Sequence, residues 1–259
     1  MGLCRDDTQS KQAALGTTAG KPTSVKPAAR ALLYKLGADR KRLRSIQSFQ
    51  TRDQIKRAEI LPEYQPYVDG VLAGDSGEPD EILMQVMVWA FDARALELFD
   101  RIARYAVFYS LPMPADFNRA VGAWLSESCA KLVLSISAER ETLPTDDFDV
   151  LSDLVIWLTL ETAEQDMHDE IRAKLHHAAG DVMAETVPEA AIGHYETALK
   201  YRDKEPVKKK IAALKKGSAD TASPTSQGQA AGGAGNDVIT TPLASLPDSD
   251  PPAIEGGEA

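Results

Sequence analysis

Residues 79–110 read PDEILMQVMVWAFDARALELFDRIARYAVFYS, and their pattern decides the fold class. Ile82, Leu83, Val86, Met87, Val88, Trp89 and Phe91 are apolar nearly all round a helical cylinder, so residues 79–91 predict a central, buried helix. Leu96, Phe99, Ile102, Ala103, Ala106 and Val107 then recur at helical spacing, predicting a second helix within 92–110. Pro112 and Pro114 punctuate the following turn, Pro114 suiting the first position of the next helix. Phe117, Val121, Leu125, Leu132 and Ile136 continue at steps near four. After the Pro144-Thr145-Asp146 break, helices are expected near 147–160, 166–185, 188–201 and 206–216. No β-branched run of period two interrupts them. The expected fold is all-α, with short loops joining antiparallel helical hairpins. Residues 191–216 have the cadence of one tetratricopeptide-like hairpin, with no second copy at a fixed period.

Outward from this centre the N-terminal side changes character. Leu32, Leu33 and Leu36 form an apolar face, and one straight helix would place Asp39 inside the stripe of Leu36, Leu43 and Ile46. Stopping at Gly37 and restarting with Asp39 as N-cap avoids that burial. Thr51 and Gln54 match a capping box for a third helix, which Pro62 should end. Three short helices of this kind suit a helix-turn-helix-type bundle, and a bent two-helix hairpin fits the same residues. The expected organisation is a disordered arm (1–26), a basic helical module (27–61), an acidic helical body that oligomerises (62–185), a C-terminal helical hairpin (186–216) and a disordered acidic tail (217–259).

Charge is segregated along the 259 residues. Residues 1–60 carry 13 Lys/Arg against 5 Asp/Glu, a net of +8, whereas residues 61–199 carry 8 against 26, a net of -18. Residues 200–216 return to 8 against 2, and the last 43 residues hold six acids and no base. A basic module on an acidic body points to a polyanionic partner for the first and protein partners for the second. No apolar run spans a bilayer, and residues 1–30 do not form a secretion signal. Cys4 and Cys129 are too few for a disulfide framework or a cysteine zinc site, which fits a reducing cytoplasm.

Arg40, Lys41, Arg42 and Arg44 form the densest basic cluster, supported by Arg52, Lys56 and Arg57. Arg40 with Arg44, and Arg52 with Lys56, lie one helical turn apart and would make two short cationic ridges that neutralise successive phosphates. These seven residues are the expected contacts, with DNA as the first candidate partner and an RNA- or acidic-protein-binding surface or a solvated helix face as the alternatives. Against catalysis, Asp146, Asp147, Asp149 and Asp153, and likewise Glu164, Asp166, Asp169 and Glu170, sit at expected helix starts, where capping explains them. His176 and His177 are adjacent and point about 100° apart on a helix, which disfavours a shared metal. No phosphate-binding Gly-Lys-Ser/Thr loop occurs, so no ATPase is expected, and no cofactor or metal is expected in this chain.

The run LGADRKRLRSIQSFQTRDQIKRAEILPEYQPYVDGVL (36–72) resembles the small terminase subunit of temperate contractile-tailed phages, the GpM family. The likeness continues in ILMQVMVW (82–89), LPMP (111–114), DMHDEIRAKLH (166–176) and VKKKI (207–211). The resemblance implies a DNA-packaging protein that binds double-stranded phage DNA, assembles as a homo-oligomer and delivers DNA to a large subunit. ATP and Mg²⁺ would belong to that large subunit, and the setting would be the cytoplasm of the bacterial host. The family is often labelled the terminase endonuclease subunit, a label that no constellation of residues here supports independently.

Overall fold

The computed structural model describes residues 27–221; the expected arm (1–26) and all of the expected tail (217–259) from residue 222 on lie outside them, while residues 217–221 continue the last helix. Among the described residues the order is α1 (Pro27–Arg44), α2 (Phe49–Ile55), a π-helical turn (Lys56–Ile60), α3 (Leu61–Gly74), α4 (Glu81–Asp92), α5 (Leu96–Phe108), α6 (Val121–Ser137), α7 (Thr145–Glu161), α8 (Asp169–Met183), α9 (Pro188–Tyr201) and α10 (Lys208–Thr221). There is no strand among them. The all-α expectation stands.

The centre is α4, as its pattern requires: every side chain from Ile82 to Ala90 is buried. Asp80 caps it, accepting from the Leu83 N–H at 2.8 Å and from the Tyr67 hydroxyl at 2.6 Å. α1, α3 and α5 pack around α4; α7 joins α5, and α6 and α8 extend the stack to α9. One apolar core runs from Leu36 and Leu43 on α1 to Ala178 on α8, and a smaller cluster of Ala191, Tyr195 and Val207 sits under α10.

Four local expectations are corrected. α1 does not stop at Gly37 but runs through Asp39, so the three-short-helix reading fails. Asp39 is indeed buried among Leu36 and Leu43, but the Tyr64 hydroxyl donates to it at 2.9 Å and Lys35 Nζ at 2.8 Å. Those partners offset the desolvation that made the break look cheaper. The cap of α2 is Ser48, whose Oγ accepts from the Thr51 N–H at 3.2 Å, rather than Thr51 itself. Pro62 does not end the helix. It has no N–H to give, and the wide turn just before it carries the chain into α3 while keeping Ile60 and Leu61 both in the core. Finally, Pro114 and Phe117 lie in the connection 109–120, and α6 begins only at Val121.

Two glycines are demanded by close approach. Gly77 has φ +66°, its N–H donates to the Tyr105 hydroxyl oxygen at 2.8 Å, and a Cβ there would strike the Tyr109 ring. Gly180 on α8 lies so near the Tyr195 ring of α9 that a Cβ would be 2.3 Å from it.

Candidate nucleic-acid interface

The seven expected contacts separate into different environments. Arg40 reaches from α1 to the first turns of α4, where Nη1 meets Glu81 at 2.6 Å and Nε donates to Gln85 at 2.8 Å. Arg42 pairs with Glu59 at 2.6 Å across an exposed surface. Arg44 touches Asp116 at only 3.5 Å, with both side chains more than 70% exposed (73% and 72%). Lys41 has no partner among the described residues and is exposed. Lys41, Arg42 and Arg44 all occupy the last turn of α1, where cations complement the unpaired carbonyls.

On the second ridge, the Arg52 guanidinium lies 4.3 Å from the centre of the Phe49 ring, a ring itself 76% exposed. The Nε of Arg52 is buried with no hydrogen-bond partner among the described residues. Lys56 is different: it is buried and clasps Asp53 at 2.9 Å and Asp92 at 2.7 Å. Arg57 turns away from the ridge and donates to the Ala93 and Arg94 carbonyls at 2.9 and 2.6 Å, closing the C-terminal end of α4.

The tertiary structure brings the two ridges together. Arg40, Arg44, Arg52 and Lys56 line one cleft of about 210 Å³ together with Trp89 and Phe117. A second depression of about 270 Å³ adjoins it through Arg40 and Arg44 and adds Lys41 and Gly37. Asp92 and Asp116 are the acids of the cleft. Exposed pairs such as Arg44–Asp116 contribute ~0–1 kcal/mol, so a phosphate can displace them. Removing a buried, doubly paired lysine from its carboxylates costs more, which keeps Lys56 in its place. Arg42 and Arg57 do not line the cleft.

The sequence reading missed Gln85 and Phe117 as cleft walls, and it missed the exposed rings of Tyr34 (85%) and Phe49. A continuous α1 would have shown Tyr34 opposite Leu36. Asp146 and Asp147 lie in the first turn of α7, and Asp169 and Glu170 in that of α8, where the helix dipole favours them, but they do not cap: the N-cap residues are Pro144 and His168, neither with a side-chain cap hydrogen bond. No group of three or more His, Cys, Asp or Glu among the described residues is placed to hold a metal. Cys129 is fully buried, and burial pushes its thiol pKa far up, the setting of a core residue.

Residues 33–170 match the phage small terminase subunit family. The chain belongs to that family. It is also 35% identical over 187 residues, 71% of this chain and 72% of the relative, to a protein of Escherichia phage P2 named "Terminase, endonuclease subunit". No solved structure matches the chain. Membership places this small terminase subunit in phage DNA packaging, and the matched stretch contains the whole cationic cleft. No helix among the described residues is long and apolar enough to cross a membrane.

Proposed function

We propose that this small terminase subunit binds double-stranded phage DNA through the α1–α2 cleft and hands it to the large subunit, which cuts and translocates it in the host cytoplasm. The observation that carries the reading is the convergence of Arg40, Arg44 and Arg52 on one open cleft, with Lys41 beside it, in a chain whose following 139 residues carry a net charge of -18. Lys56 and Arg57, also expected as contacts, hold the π-helical turn against α4. The acidic helices behind the cleft repel DNA and are the surface for further copies of the chain and for the large subunit.

The test is DNA affinity of the full chain against salt. Changing Lys41, Arg44 and Arg52 together to alanine should flatten the slope of log K on log salt by about one unit per lost phosphate contact. Failure of the unaltered chain to bind its phage's packaging-site DNA at low ionic strength would overturn the reading. The name of the phage P2 relative, a terminase endonuclease subunit, favours a second one, in which this chain cuts DNA itself. Incubation with packaging-site DNA and Mg²⁺, without the large subunit, separates the two; cleavage abolished by Asp146→Ala with Asp147→Ala, or by Asp169→Ala with Glu170→Ala, would establish the second.

A further inference from the structure

α1 carries more than its C-terminal cations. Its buried side is Leu36, Asp39 and Leu43; its opposite side repeats at steps of four and three through Arg30, Tyr34, Gly37, Lys41 and Arg44, all exposed. The only carboxylate in the helix is Asp39, which is turned inward onto Tyr64 and Lys35. α1 itself therefore presents no outward carboxylate on a chain of net charge -10. The acids nearest that face come from other segments, Asp116, which meets Arg44 at 3.5 Å, and Glu81, and both share with Gly37, Lys41 and Arg44 the depression of about 270 Å³.

Two residues on that face have no explanation within the chain. Tyr34 is 85% exposed and its hydroxyl has no partner among the described residues. Gly37 costs a helix interior ~1 kcal/mol relative to alanine, yet nothing lies within 4 Å of where its Cβ would be. Ala38 beside it is also small and exposed. A gap that internal packing does not need is explained by something that approaches the helix from outside.

Charge complementarity selects the occupant. The major groove of duplex DNA is ~12 Å wide and admits an α-helix. Arg30 and Lys41 are separated by ~16 Å along the axis at 1.5 Å per residue, far enough apart to meet phosphates on both walls. The cations of the last turn offset the negative end of the helix dipole there. Resting on the DNA-binding reading above, we propose that α1 is the element that enters the major groove. Gly37 and Ala38 face the groove floor, Tyr34 contacts base edges, and Arg30, Lys41 and Arg44 hold the flanking phosphates.

Gly37→Leu and Tyr34→Ala test this in the full chain. Gly37→Leu meets no atom of the chain and replaces a poor helix former, so its melting temperature should equal or exceed that of the parent. Its affinity for packaging-site duplex should fall by about tenfold or more. Tyr34→Ala should lower affinity for that duplex about fivefold, leave a scrambled duplex unaffected, and leave the salt slope unchanged. Parental affinity in both variants would overturn the placement of α1 while the Lys41/Arg44/Arg52 variant still reported on the cleft. If the unaltered chain binds neither duplex, the DNA-binding reading itself falls.

Discussion

The α1–α2 face and the α8–α10 end both gather cations and carboxylates, but they use them in opposite ways. At the first, Arg42–Glu59 and Arg44–Asp116 are exposed pairs that water and salt can exchange. At the second, Asp181 and Glu205 are buried, with side chains 5% and 4% exposed. Asp181 accepts from the Tyr195 hydroxyl at 2.8 Å and from Lys210, while Glu205 meets His177 Nδ1 at 2.8 Å and Arg202 at 3.3 Å. The same residue types therefore make a surface available to a polyanion at one end and a clamp between helices at the other. Solvent exposure makes the difference, since it sets how much a charge loses when its partner leaves.

Breaking the clamp should have the largest effect. Asp181→Ala takes the acceptor from the Tyr195 hydroxyl and leaves Lys210 only His177 Nε2 and water, and should cost about 1–3 kcal/mol of unfolding free energy, read by denaturant titration. A loss below 0.5 kcal/mol would remove the contrast between the two ends. Lys56→Ala, at the boundary between the regimes, should cost about 1–3 kcal/mol of stability, leaving Asp92 to be rehydrated at the surface.

Acid should loosen the clamp end specifically. His176 and His194 approach at 3.0 Å through their Nδ1 atoms, so one donates and the other, the acceptor, is neutral. Burial, then the neighbouring His194 and Arg172, pull the His176 pKa down from 6.5 to about 4. Between those values the unfolded chain binds the proton that the folded chain refuses. The contribution is full above pH 6.5 and is lost as pH falls towards 4. His176→Leu should flatten the fall in melting temperature from pH 7 to pH 4.5; an unchanged slope would refute the assignment. The smallest stability effect belongs to Arg44→Ala, under ~0.5 kcal/mol by thermal melting, even as DNA affinity drops.

How far the chain could be read in advance follows the same division. The central helix was legible because residues 82–90, Gln85 apart, are apolar on every side, a pattern that burial satisfies. The cationic residues were legible as a cluster, but their roles were not. Lys56 and Arg57 are adjacent, yet one enters a buried pair with Asp92 and the other caps α4. Both partners lie 36 residues away, beyond any local spacing rule. Gly37 misled because the cost of burying Asp39 depends on Tyr64, 25 residues on.

By itself, the sequence determined an all-helical chain with a basic front and an acidic body, because helical periodicity and charge are properties of residues near one another in the chain. Only the tertiary structure decided that α1 runs unbroken, that Arg40, Arg44, Arg52 and Lys56 share a cleft, and which of those cations remain free to act. Desolvation and pairing are fixed by neighbours distant in sequence, and those meet only in the folded molecule.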